Sequence, residues 1–220
     1  MPNVRNNRRL VMRRRVVAAA AGPSYSYRGN GTSSASGSVT DFTIDIGAAS
    51  ADRLIVASAA WQGANGITSI IVDPAGANVT LAQDAINAAG NSAAIYSGLV
   101  TSGSGSVVVR LTLVSASFFI RGISVWALTG LSSNIAKHTA AAAVTGAAST
   151  PIDVTAGDLL FAGSWNTAGS ATYSGSTEAP AAVHSSNSNN QFADWTIAST
   201  NASFAIAPGV TSNVAAASYR

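Results

Sequence analysis

The chain has 220 residues, of which 47% are hydrophobic and only 10% are charged, and its formal net charge is +3. It has no cysteine, which excludes disulfide frameworks, thiolate nucleophiles and cysteine-ligated metal sites. No stretch reaches the length of about 18 consecutive apolar residues that a helical membrane span needs, so we expect no membrane partner.

The first element in chain order is a basic N-terminal arm. Residues 1–28 carry seven arginines and no acid, whereas residues 29–220 carry five basic and nine acidic residues. Mutual repulsion between the guanidinium groups predicts that the arm is disordered until an anionic partner gathers it. Six arginines lie within the eleven residues of "RNNRRLVMRRR", and they are the predicted partner-binding residues: Arg5, Arg8, Arg9, Arg13, Arg14 and Arg15.

Two classes of partner fit this arm, and a solvated tail is the alternative to both. Nucleic acid would bind the arginines through its phosphates. An acidic groove of another protein would bind them through bidentate carboxylate pairs, and the interspersed Leu10, Val11 and Met12 favour such a protein seam. Fifteen extended residues reach about 50 Å, which is enough to contact a neighbouring subunit.

A Gly- and Ser-rich stretch follows the arm, so we assign residues 1–37 to the arm and its linker and residues 38–220 to a folded body. The body consists of short runs of Val, Ile, Leu and aromatic residues separated by Gly, Asn, Ser and Pro, which is typical of all-β proteins. "VTDFTIDI" alternates with Phe42, Ile44 and Ile46 on one face. In "SVVVRLTLV" and in the run that contains Ile123, Val125 and Ala127, every second residue is likewise apolar, which predicts half-buried strands. We interpret "IAKHTAAAAVTGAAS" as a connection with at most a short helix.

The predicted fold class is an all-β, antiparallel, jelly-roll-like β-sandwich of about twelve to fourteen strands. Three segments of the first half resemble three segments of the second in the same order, beginning with "ADRLIVASAAW" and "AGDLLFAGSWN". Chance similarity between Ala- and Ser-rich strands also explains such a repeat. One large sandwich and two related halves, 38–133 and 147–220, are therefore both open.

Residues that could carry chemistry are scattered. His138 and His184 have no second histidine or carboxylate at ligand spacing, and we interpret both as solvated loop residues. No catalytic motif is present, so we expect no enzyme, no cofactor and no metal site. Asp52 and Asp158 precede the two similar strands, where a carboxylate usually accepts hydrogen bonds from turn N–H groups.

Tryptophans supply one further candidate site. Trp61 and Trp165 both lie at the end of the similar strands, where an exposed indole could stack on a sugar. Packing in the core or at its rim is the competing interpretation, because a large sandwich needs such residues to fill it.

The run from "DRLIVASAAWQG" through "ITSI" and "AAIYSGLV" to "IRGISVWALTGLSS" resembles β-sandwich structural proteins of tailed bacteriophages, of the head-decoration, neck or fibre type. The resemblance covers roughly residues 40–220 and carries over no functional residue. It implies a virion component that forms homo-oligomers and docks on other virion proteins, at an acidic seam of capsid or neck. Jelly-roll coat proteins of small icosahedral viruses, whose basic arms bind the packaged genome, are a second resemblance.

Overall fold

The computed structural model of the chain describes residues 22–63, 66–73, 76–88, 91–117, 120–145, 150–166, 177–178, 182–185, 188–197, 202–206 and 211–220. Residues 1–21, which include all six predicted partner-binding arginines, lie outside this part. The described residues form seventeen strands and no helix. The strands are β1 (Ser24–Ser33), β2 (Gly37–Asp45), β3 (Leu54–Trp61), β4 (Ile67–Asp73), β5 (Val79–Thr80), β6 (Ala82–Asn87), β7 (Ser92–Leu99), β8 (Ser106–Ser117), β9 (Arg121–Thr129), β10 (His138–Val144), β11 (Thr150–Val154), β12 (Leu159–Asn166), β13 (Thr177–Glu178), β14 (Ala182–Ser185), β15 (Ser188–Thr196), β16 (Ala202–Ile206) and β17 (Ser212–Tyr219).

Strands β1–β9 form two antiparallel sheets, which we call the first sandwich. One sheet has the order β1-β9-β3-β7-β6 and the other has the order β2-β8-β4-β5. Successive strands cross repeatedly between the two sheets, and the buried Leu81 is the single residue between β5 in one sheet and β6 in the other. This is the double-sheet arrangement of a jelly roll and agrees with the predicted fold class.

Strands β10–β17 form the second sandwich, in which the same arrangement recurs. Its larger sheet has the order β10-β17-β12-β15-β13, and β11 pairs with β16 in a second sheet. The central strands of the first sandwich, β9-β3-β7, correspond in chain order to β17-β12-β15, and the pair β2-β8 corresponds to β11-β16. The topology thus places the segments that resemble each other in sequence at matching positions of the two sandwiches.

The two sandwiches pack face to face through their larger sheets, which produces a stack of four sheets. One core lies inside the first sandwich, and a smaller core lies inside the second. A third core lies between the two and joins Leu54, Trp126 and Ile95 of the first sandwich to Phe161 and Tyr219 of the second. We call this third core the central interface. Strands β3 and β9 are buried almost along their whole length because both of their faces are covered.

The predicted alternation is confirmed in strands that face solvent on one side. Phe42 and Ile44 of β2 are buried while Asp41, Thr43 and Asp45 are exposed. In β8 the alternate residues Val107, Val109, Leu111 and Leu113 are likewise buried. A strand with one covered face shows this period of two because successive side chains point to opposite faces.

Three predicted features differ from the structure. The stretch assigned to a linker contains β1, because Tyr25 and Tyr27 alternate and pack against the central interface. The Ala-rich tract assigned to a connection contains β10, which pairs along its whole length with β17. Each sandwich therefore begins earlier than the predicted starts at residues 38 and 147, with β1 and β10 respectively.

Candidate functional site

Arg53 is a buried arginine that holds together the loops at one end of the first sandwich. Its Nε donates to the carbonyl of Val100 at 2.8 Å, and its two Nη atoms donate to five further backbone carbonyls. The closest of these are Ala48 O and Ser102 O, both at 2.6 Å. The side chain thus ties the β2–β3 loop to the β7–β8 loop, and its five N–H donors are all used.

Arg28 approaches the same end of the first sandwich from β1. The register of β1 against β9 shifts between Tyr27 and Gly29, so Arg28 is the extra residue of a β-bulge. A bulge of this kind redirects a side chain out of the regular alternation. The guanidinium of Arg28 lies against Gly47, which has a positive φ of 76°, and any Cβ at that position would fall 2.6 Å from the Arg28 Cζ. Gly47 is therefore required both for the turn and for the seat of Arg28.

A cavity of about 340 Å³ opens beside these two arginines. Arg28 and Arg53 line it together with four serine and threonine residues, which are Ser24, Ser26, Ser50 and Thr129. We call this cavity the Arg28 pocket. Three of its lining residues, Ser24, Tyr25 and Ser26, are the first residues of β1.

The two arginines of the Arg28 pocket form no salt bridge with a carboxylate in the described part of the chain. The salt bridges found there join Arg110 to Asp41, Lys137 to Asp158 and Arg220 to Asp158. Arg28 and Arg53 take part in none of them, and Arg28 Nε is buried without a hydrogen-bond partner. Burial, together with the charge of Arg28, lowers the pKa of Arg53 below its ordinary value.

The central interface contains a second polar arrangement, built from two carboxylates that cross between the sandwiches. Asp194 of β15 accepts hydrogen bonds from Tyr25 Oη at 2.6 Å and from Trp126 Nε1 at 2.8 Å, both from the first sandwich. In the opposite direction, Asp84 of β6 accepts one from Tyr219 Oη at 2.7 Å. Burial raises the pKa of both carboxyls.

Aromatic rings surround these carboxylates. Phe161 lies edge-on to Tyr25 with a centroid distance of 5.4 Å and also contacts Trp126 and Tyr219. Because the polar atoms are bonded across the interface and the rings fill the space between them, the relative register of the two sandwiches is fixed.

The predicted tryptophan site is not an exposed platform. Trp61 and Trp165 are 0% and 1% exposed, so neither indole presents a face on which a sugar could stack. They also lie on opposite faces of their strands, since Trp61 belongs to the core of the first sandwich and Trp165 to the central interface. Core packing, the competing interpretation, describes both residues.

The remaining predicted residues have simple roles where the structure describes them. His138 belongs to β10 and is half-buried, so its assignment to a solvated loop is wrong. His184 lies in β14 rather than in a loop. Asp158 accepts from Thr155 N of its own turn at 2.7 Å, as predicted. Asp52 accepts at 2.9 Å from the N–H of Gly130, a residue that follows β9 in the chain, so this bond is not within its own turn.

Sequence reasoning missed Arg28 and Arg53, because a single arginine beside a turn has no motif of its own. The signal available for Arg53 is its position directly before the apolar run of β3, since a buried guanidinium group must find carbonyl oxygens or an anion. Among the described residues there is no cluster of three or more His, Asp or Glu side chains that could hold a metal ion. Nor does this part of the chain contain a helix of the length and hydropathy needed to cross a membrane.

Comparison of the chain with protein-family models, with curated proteins and with solved structures finds no match.

Proposed function

We propose that this chain is a structural, non-enzymatic component of a bacteriophage virion, displayed on the capsid or at the head–neck region. In this proposal the two sandwiches are the displayed body. The arginine-rich arm is the anchor that binds an acidic seam of the particle, and the chain is a homo-oligomer there.

The observation that carries the proposal is a closely packed body whose sequence is preceded by a segment rich in arginine. The central interface buries aromatic residues of both sandwiches and bonds Asp194 and Asp84 across it. A body of this kind resists deformation, because close-packed interiors allow few alternative arrangements. Such a block is suited to display, while binding is left to a separate segment.

The point at which the arm joins the body supports separate roles for the two, with the body displayed and the arm used for binding. The described chain begins at Gly22, and β1 is an edge strand of its sheet, paired only with β9. The arm is therefore joined to the rim of the body rather than to its centre. From there, an extended segment of about twenty residues would reach some 65 Å at about 3.3 Å per residue.

A second candidate is a coat protein whose arm binds the packaged genome. The jelly-roll topology and the six clustered guanidinium groups favour it. If all six arginines bound duplex DNA, the logarithm of the binding constant would fall with the logarithm of salt concentration with a slope of about −5. The two candidates differ in what the arm contacts, and this is measurable.

The test uses virions purified from the phage that encodes the chain. A variant with all six arm arginines changed to Gln should fold with an unchanged melting temperature and be absent from the particles, whereas wild type is present. Arg110→Gln is the matched control, because it removes an exposed cation of the body. Incorporation of the arm variant at the wild-type level would refute the anchor. Release of wild-type chain by nuclease would favour the genome-binding candidate.

A further inference from the structure

We propose that the Arg28 pocket is a binding site for a small oxyanion, a carboxylate or phosphate group on a polar molecule. None of the six predicted partner-binding arginines is among the residues of the pocket, and the inference does not depend on the proposed function.

The two arginines of the pocket have no acidic partner among the described residues. Two guanidinium groups line one cavity and no described carboxylate forms a salt bridge with either. Two like charges brought together repel each other, and partial burial strengthens the repulsion because the effective dielectric constant falls. The carbonyls around Arg53 stabilise that guanidinium group, and a bound anion would offset the repulsion between the two arginines.

The position of the Arg28 side chain suits the binding of an oxyanion. All of the Arg53 donors are occupied by carbonyls, so Arg53 contributes its charge but no further hydrogen bond. Arg28 forms no hydrogen bond within the described residues, and its fork is seated over Gly47 by the bulge in β1. A planar fork with free donors matches the two oxygens of a carboxylate or phosphate group.

Hydroxyl groups in the pocket can donate further hydrogen bonds to an anion. Ser24 Oγ and Thr129 Oγ1 are 3.1 Å apart and share one hydrogen bond, so one of these two hydroxyls keeps a proton that it can donate elsewhere. Ser26 Oγ makes no hydrogen bond within the described chain. Ser50 already donates to Asp52, and that carboxylate also accepts from Gly130 N. The pocket therefore offers the cation and the neutral donors of an anion site.

The size of the pocket limits the ligand. A volume of about 340 Å³ lies at the lower end of the range of small-molecule sites, about 300–1,000 Å³. It accepts an inorganic anion or a compound of the size of one acidic sugar. Inorganic phosphate and glucuronate are therefore suitable probes, and glucose is the neutral control for glucuronate.

The experiment is calorimetric titration of the full-length protein with each probe. We expect saturable binding of phosphate, of glucuronate or of both, and none of glucose. Binding of phosphate alone assigns a phosphate group to the site, and binding of glucuronate alone assigns a carboxylate. Arg28→Gln should weaken binding at least tenfold, whereas Arg110→Gln, which removes a cation outside the pocket, should leave it unchanged.

A second variant keeps the test informative if Arg28→Gln fails to fold. Ser26→Asp places a carboxylate inside the pocket, and it should abolish anion binding while raising the melting temperature, because it supplies the missing negative charge. The proposal is overturned if neither probe binds saturably. It is equally overturned if the affinity of a binding probe survives both Arg28→Gln and Ser26→Asp.

Discussion

At the scale of single residues, Asp194 shows how a polar group can fix a register at a cost in stability. Its carboxylate is 2% exposed and is bonded by Tyr25 and Trp126 across the central interface. The two hydrogen bonds lower its pKa, but burial acts in the opposite direction and dominates. The folded chain therefore holds the proton of Asp194 more tightly than the unfolded chain does.

This shift predicts a pH dependence of stability with a definite sign. Well below the ordinary pKa of 3.8, Asp194 is protonated in both the folded and the unfolded state. Its ionisation then does not change the free energy of unfolding. As the pH rises from 3.8 through the raised pKa of the folded state, the unfolded state loses its proton first, so the free energy of unfolding decreases. Asp194→Asn cannot ionise, and its stability relative to wild type should rise over the same interval.

Chemical denaturation at a series of pH values measures this difference. Asp41→Asn is the control, because Asp41 is exposed and the Arg110 guanidinium lowers its pKa. Between the lowered pKa of Asp41 and 3.8, the stability of Asp41→Asn relative to wild type should fall with rising pH, whereas that of Asp194→Asn should rise at pH values above 3.8. A stability difference between Asp194→Asn and wild type that does not vary with pH would contradict a raised pKa at Asp194.

At the scale of elements, the loops at the Arg53 end depend on one side chain. The β2–β3 and β7–β8 loops direct six backbone carbonyls at the Arg53 guanidinium. Carbonyls that lose their donor in a buried site must find another or remain unpaired, which costs about 1–3 kcal/mol each. Lysine carries its three donors on one nitrogen atom, so it cannot replace the five donors that the planar guanidinium group directs at these carbonyls.

Arg53→Lys should therefore lower the free energy of unfolding by at least about 2 kcal/mol. Arg110→Lys, at the exposed ion pair with Asp41, should change it by less than about 1 kcal/mol. Urea denaturation of the two variants compares them directly. Equal, small effects would show that the loops do not rely on Arg53.

Elements were predictable from sequence where one face is covered and the other is solvated. β2 and β8 follow their alternation, and the jelly-roll-like class follows from many such strands. β10 was not predictable from propensity, since its alanines form a strand only because β17 offers a partner along its whole length. β1 had a usable signal in the alternation of Tyr25 and Tyr27, which the surrounding Gly and Ser residues obscured.

At the scale of the whole molecule, the central interface decides the architecture. The apolar run of β3 indicates burial on both faces, but nothing in it identifies the second sandwich as the cover. The alternation of Ile123, Val125 and Ala127 predicts one buried face for β9, and this is wrong, because the second sandwich covers the other face. The sequence also does not show that the larger sheets of the two sandwiches lie close together. Their close approach depends on Gly163, because a Cβ there would overlap Ser58 Oγ of the facing sheet and lie 3.1 Å from Phe192 Cδ1.

Gly163→Ala should destabilise the protein by about 1–3 kcal/mol, since overpacking forces the sheets apart. Gly66→Ala is the control: its added Cβ would lie 3.6 Å from Val114 Cγ2, an ordinary contact, and we expect a change below about 1 kcal/mol. Ser58 Oγ is buried without a partner, so Ser58→Ala should be tolerated and should recover part of the loss in the double variant. Thermal unfolding measures all four, and an unchanged Gly163→Ala would contradict close packing at this point.

The most direct measurement of the central claim is a low-resolution image of the native virion. Our account predicts that the particle displays a two-lobed body of stacked sheets, with the Gly22 end of β1 turned toward the particle surface. It would be contradicted by virions that lack the chain, or by a body whose Gly22 end points away from the particle.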